Sequence, residues 1–259
     1  MTAVLLEDRS DGVLRLTLNR PEARNALSIE LMTTLLEALG RAAGEPHDRV
    51  VVIAGAGHAF CAGHDLRELR QDPRRETFQR IFALCSELML AIVRLSKPVI
   101  AEVHGVATAA GCQLVATCDL AVVAQEARFA TPGVNIGLFC STPMVALTRA
   151  IGRKPAMEML LTGELIDAAA ARSLGLVNRV VPADALAGEA RALAVQLAAG
   201  PTHAYGRTKA LLQATLGDAF DAQLRRETEA LAACAATEDF AEGVRAFLEK
   251  RRPVFTGKE

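Results

Sequence analysis

The sequence predicts an α/β protein whose strand–helix body is followed by a helical C-terminal region. Two patterns and one compositional fact predict it. Short apolar runs at 50–54, 98–103 and 120–124 alternate with stretches of helical periodicity, the order expected of sheets covered by helices. From about Asp184 onward the pattern is almost entirely helical. The composition is 51% hydrophobic with mean hydropathy +0.23, yet aromatics make up only 4%. With no Trp and a single Tyr (Tyr205), the core must be built from Ala, Val and Leu. A chain of 259 residues can bury such a core as one large domain or a domain with an appendage.

The elements follow in order. Leu14, Leu16 and Leu18 alternate with Arg15, Thr17 and Asn19, the mark of a half-buried strand. Arg20-Pro21 ends it. Ser28 is placed to cap a helix running to about Ala43, with Leu31, Leu35 and Leu39 on one face. Val50–Ala54 is a wholly apolar strand, and Gly55-Ala56-Gly57 begins a loop that reaches Gly63. A helix over about 76–95 is stopped by Lys97-Pro98. A strand over 98–103, a short helix start at Gly111 and a strand over 120–124 come next. Helical patterns dominate from Pro143 to Ala171, and Leu176–Val181 reads as the last strand. Punctuation at Gly200-Pro201 divides a body, 1–200, from a helical region, 201–259.

Bulk properties exclude several functions. A formal net charge of -1 gives no general attraction to nucleic acid or anionic lipid, so neither is expected as a partner. The most apolar region, Val99–Ala124, is broken by Glu102, His104, Gln113 and Asp119, so no membrane span is expected. The start MTAVLLEDRSDG shows neither a signal-peptide core nor an Arg-rich transit pattern, which leads to a cytoplasmic expectation. The six cysteines form no CxxC pair and no Cys/His spacing typical of zinc, so reduced thiols and no metal site are expected.

Two loops stand out: AFCAGHDL at Ala59–Leu66 and HGVATAAGCQL at His104–Leu114. Each leaves a strand, passes through small residues and enters a helix. Small residues let a ligand approach the backbone closely, and a helix start presents unpaired N–H groups at the positive end of its dipole. Two such starts meeting at one point would stabilise a negative oxygen without a charged side chain. Taken alone, each loop is equally a tight turn.

With LNRPEARNALS at Leu18–Ser28, TPGVNIGL at Thr131–Leu138 and LTRAIGRKPAMEMLLTGELIDAAAARSLGLVNRVVP at Leu147–Pro182, the chain resembles the crotonase (enoyl-CoA hydratase/isomerase) superfamily over essentially its whole length. Within it, AGHDL, AAGCQL and GLFCSTP are similar to the enoyl-CoA hydratase domain-containing protein 3 type. The resemblance implies a spiral of ββα units with a C-terminal helical region that assembles homotrimers or homohexamers. It also implies an acyl-coenzyme A thioester as substrate and no separate cofactor. It assigns the oxyanion N–H groups to His64 and Ala110, and the coenzyme and acyl surroundings to Ala26, Ala62, Leu66 and Cys140. Arg24 would meet a coenzyme phosphate or simply be solvated. Asp65 reads as a helix cap rather than a base.

The departures bear on mechanism. The family's two catalytic glutamates fall at Gln113 and Gly133 here. A carboxamide holds a water or a carbonyl but does not shuttle protons near neutral pH, and glycine has no side chain. Each general acid–base group contributes about 10²–10⁴, so ordinary hydration should be crippled, and restoring both glutamates should raise it. Three functions then stand. The first is a hydratase/isomerase-like enzyme using the backbone oxyanion hole with Gln113 beside it. The second is a decarboxylase or other lyase using the His64 imidazole, since loss of carbon dioxide makes the enolate without a carboxylate base. The third is a non-catalytic acyl-CoA binder.

Overall fold

The computed structural model describes residues 3–217 and 219–257. β1 (Leu5–Ser10) and β2 (Val13–Leu18) form an antiparallel hairpin, turned by Asp11-Gly12 at positive φ. β1 was not legible in the sequence, because four of its six side chains are exposed. Helix α1 (Ile29–Gly44) follows, its Ser28 cap accepting from the Leu31 N–H at 3.1 Å. Leu31, Leu35 and Leu39 are buried as the spacing requires.

β3 (Val50–Gly55), α2 (Leu66–Gln71), α3 (Arg75–Arg94) and β4 (Val99–Val103) come next. They are followed by β5 (Val106–Thr108), α4 (Ala110–Thr117), β6 (Leu120–Ala124) and β7 (Arg128–Ala130). Helices α5 (Ser141–Ala150) and α6 (Arg153–Thr162), strand β8 (Ile166–Asp167), α7 (Ala168–Leu174) and β9 (Arg179–Val181) complete the body, with α8 (Leu186–Ala198) behind it. The last expected strand is shorter than the apolar run, because Leu176 and Val177 pack into the core ahead of it.

The strands make two sheets. The larger has the order β1-β2-β3-β4-β6-β9 and the smaller β5-β7-β8. From β2 to β9 neighbouring strands of the larger sheet run parallel, so each must be joined by a crossover. The crossovers carry a second strand and a helix: β4, β5, α4 and then β6, β7 with the helices after it. Residue Cys61, bridged to Ala107, takes the place of the second strand after β3. This is the ββα repeat of the crotonase-like spiral.

β3, β6 and, apart from Glu102, β4 are apolar because both faces of the sheet are covered there. Leu14, Leu16, Leu18, Val51 and Ile53 pack toward α1 and α3 in the main core. Val50, Val52, Ile100 and Val122 pack against Leu186, Ala190 and Ala194 of α8. Truncating a side chain such as Leu35, which is fully buried, would cost about 2–5 kcal/mol.

Helices α9 (Thr202–Ala214), α10 (Phe220–Ala235) and α11 (Glu238–Leu248) form the C-terminal region. Lys209 ties α9 to the body, donating to the Ile92 carbonyl and to Asp119, each at 2.7 Å. Arg49 reaches from the body to the carbonyls of Gly200 (2.7 Å) and Phe255 (3.0 Å). Among the described residues no helix is long and apolar enough to cross a membrane.

Candidate active site

The first loop is fixed from three sides. Asn25, fully buried and left-handed, donates to the carbonyls of Ala56 (2.9 Å) and Ala59 (2.8 Å) and accepts from the Arg20 N–H. Cys61 pairs with β5, its carbonyl accepting from the Thr108 N–H at 3.0 Å. Leu27 donates to the Gly63 carbonyl at 2.7 Å and accepts from the Asp65 N–H at 3.1 Å. That parallel bridge turns the intervening N–H of His64 to the opposite side. Beyond its place in the RNALS segment, nothing local in the sequence marks Asn25 for this role.

Asp65 caps α2 by accepting from the Arg67 N–H at 3.0 Å, and its other oxygen takes the Arg20 guanidinium at 2.9 Å. Burial pushes its carboxyl up, but Arg20 and the Arg67 N–H outweigh that and hold it below its ordinary value. It is a cap and ion-pair partner, as expected, and stays ionised.

The second loop ends at Ala110, the first residue of α4, whose N–H has no intrahelical acceptor. Ala109 before it sits at φ 50, ψ -120, a backbone that favours glycine. The two loops touch: a Cβ on Gly63 would lie 2.8 Å from the Ala109 Cβ and 3.3 Å from the Ala110 nitrogen. Gly111 likewise lies directly on the Cys61 carbonyl. Neither the His64 nor the Ala110 N–H is taken up by an acceptor among the described residues.

Both residues line a cavity of about 650 Å³. Arg24, Ala26, Ala62, Leu66 and Cys140 line it too, so the structure brings together seven of the eight residues singled out in the sequence. Arg24 is exposed at its rim. Ile136, Leu138 and Phe139, from the TPGVNIGL and GLFCSTP motifs, add apolar wall, as does Phe82 from α3, which no sequence motif identified. The Cys140 sulfur accepts from the Gly133 N–H at 3.2 Å, while burial pushes its thiol up. Burial also pushes Cys61, Cys85 and Cys112 up to about 12, so these thiols are not nucleophiles.

Gln113 is the correction. It does not line this cavity. One turn along α4 from Ala110, it is buried and its carboxamide oxygen faces the Cys85 thiol at 3.8 Å. It lines instead a second cavity of about 550 Å³ between α3, α4 and α5. The other missing glutamate position is closed by geometry. A Cβ on Gly133 would meet the Cys140 sulfur at 2.8 Å and the Leu138 carbonyl at 2.9 Å. A side chain at position 133 would therefore require the Leu138 carbonyl and the Cys140 sulfur to move, which counts against the expectation that restoring both glutamates revives hydration.

Fold and site together define a crotonase-type spiral with a cavity beneath two converging N–H-presenting loops. The enoyl-CoA hydratase/isomerase family profile matches residues 8–258. The enoyl-CoA hydratase domain-containing protein 3, mitochondrial, of Xenopus laevis is 40% identical over 255 residues, covering 98% of this chain and 87% of that protein. The crystal structure of an enoyl-CoA hydratase of Mycobacterium smegmatis superposes with TM-score 0.95 at 51% identity, covering 98% of this chain and 99% of that one. The human enoyl coenzyme A hydratase domain-containing protein 3 structure gives 0.93 at 40%, over 98% and 100%. The chain belongs to the enoyl-CoA hydratase/isomerase family.

Proposed function

We propose that this protein is an acyl-CoA enzyme, hydratase/isomerase-like, that polarises a thioester carbonyl between the N–H groups of His64 and Ala110. The observation that carries the reading is that pair of uncommitted N–H groups, on touching loops, at one cavity. Preorganised donors of this kind stabilise the oxygen of an enolate more than that of the ground-state thioester, by about 2.7–4 kcal/mol per donor. The small residues Ala26 and Ala62 and the side chain of Leu66 provide a surface for the coenzyme, and exposed Arg24 suits a phosphate.

The site works without the usual glutamate pair. Asp65 is engaged by Arg20, and Cys140 is held protonated. This favours a second reading, decarboxylation of a malonyl-type thioester, which yields the enolate directly. Assembly as a trimer or hexamer fits the apolar side chains that α11 leaves exposed, Phe240, Val244, Phe247 and Leu248.

The test is a panel of crotonyl-, malonyl- and methylmalonyl-CoA, with binding and products followed separately by calorimetry and mass spectrometry. Hydration or isomerisation supports the first reading and release of carbon dioxide the second. Tight binding without any product would identify a non-catalytic binder, and absence of binding would refute a thioester site.

A further inference from the structure

One polar side chain lining the cavity has its polar atoms buried without a partner among the described residues. Both ring nitrogens of His64 are shielded from solvent and lack any hydrogen-bond partner among the described residues. The ring packs edge-on against Phe82, with centroids 5.3 Å apart. The contrast with His104 is direct, because that imidazole bonds the Gly57 carbonyl at 2.9 Å. Buried polar groups are ordinarily paired, and an orphan inside a ligand cavity points to a group that arrives with the ligand.

We infer that the His64 imidazole is the polar anchor of the acyl group, binding an uncharged oxygen that the acyl chain carries close to the thioester, such as a 3-hydroxyl. This rests on the thioester reading above. If the His64 N–H holds the carbonyl oxygen, the side chain of the same residue reaches only the first carbons of the acyl chain. A hydroxyl there can donate to one ring nitrogen or accept from the other, whichever tautomer is present. A saturated or simple enoyl chain leaves both nitrogens unpaired.

The charge of the bound group follows from its surroundings. The titratable groups lining the cavity besides His64 are Glu22, Arg24, Asp65, Arg67 and Cys140. Glu22, Arg24 and Arg67 are exposed at the rim, Asp65 is neutralised by Arg20, and burial keeps the Cys140 thiol protonated. Burial also holds His64 neutral, lowered to about 4. An acyl carboxylate would find no cation beside it in the inner cavity, whereas a neutral hydroxyl needs none.

The test measures calorimetric affinity for butyryl-CoA, 3-hydroxybutyryl-CoA and malonyl-CoA in the wild type, His64→Leu and His64→Gln. All three proteins keep the main-chain N–H of position 64. The wild type should prefer 3-hydroxybutyryl- over butyryl-CoA by about fivefold to tenfold. That preference should vanish in His64→Leu and return in part in His64→Gln. In the wild type, ¹⁵N-histidine NMR should show one imidazole shifting with 3-hydroxybutyryl-CoA and not with butyryl-CoA, a readout that needs no variant to fold. Equal affinity for the two esters, a preference that survives in His64→Leu, or an unmoved imidazole would overturn the inference alone. Stronger binding of malonyl-CoA, tightening as pH falls, would overturn it in favour of the decarboxylase reading. Failure of all three esters to bind would overturn the thioester reading with it.

Discussion

Gly63 lies against Ala110 with no space between them: a Cβ on Gly63 would come within 3.3 Å of the Ala110 amide nitrogen. The same atom would meet the Thr108 carbonyl at 3.1 Å and the Ala109 Cβ at 2.8 Å, and Gly63 sits at φ +97. The position therefore needs glycine for its backbone and for its contact. Gly63→Ala should push the two loops apart and misplace at least one N–H donor. Loss of one such donor costs about 10²–10³ in turnover. A Gly63→Ala protein with unchanged turnover and an unchanged melting temperature would show that the loops do not act as a pair.

Ala109 carries the opposite strain. Its φ of 50 and ψ of -120 belong to glycine, and a non-glycine residue there costs about 1–3 kcal/mol. Ala109→Gly removes that cost and adds back some unfolded-chain entropy. A net gain of about 1 kcal/mol is expected, which raises the melting temperature of a chain this size by about 2–4 °C. Calorimetric melts of the two proteins decide the sign.

The loops were legible in the sequence only together with the family motifs around them, because either one alone is equally a tight turn. α1, β3 and β6 were legible by themselves, since their caps and apolar runs are local signals. What the sequence hid depends on long-range packing. β5 and β7, three residues each, and β8, two, are too short for periodicity to register. The start of α2 was legible from its Asp65 cap, but Leu66 is exposed toward the cavity and no residue of the helix is buried, so no buried stripe marked its extent. Gln113 was misplaced because spacing along α4 fixes its distance from Ala110 but not which neighbouring helix its side chain meets. The closure at Gly133 is set by Leu138 and Cys140 folding back, which no count of residues reveals.

That closure changes the outcome of rebuilding the glutamate pair. In Gln113→Glu the new carboxylate is buried beside the Cys85 thiol, so burial should raise its pKa and cost about 1–3 kcal/mol. In Gly133→Glu the Cβ collides with the Leu138 carbonyl and the Cys140 sulfur. The double variant should be less stable than the parent and gain no crotonyl-CoA hydration. Urea midpoints and a hydration assay check both halves, and a gain in hydration of tenfold or more would show that the 133–140 segment opens to admit the side chain.

The buried imidazole should also leave a mark on stability against pH. His64 titrates at about 4 in the folded protein against an ordinary 6.5, because burial opposes its charged form. The unfolded chain therefore takes up the proton first, and stability falls as pH drops from 6.5 towards 4. His64→Leu removes that contribution. Asp65, held low by Arg20, also loses stability as pH falls, but it does so in both proteins and cancels in the difference. The variant should gain on the wild type by about 2 kcal/mol between pH 8 and pH 5, and by about 3 kcal/mol below pH 4. Urea unfolding of both proteins at pH 8, 6 and 5 measures that gap. A gap that stays constant would mean that the His64 ring is free to protonate in the folded cavity.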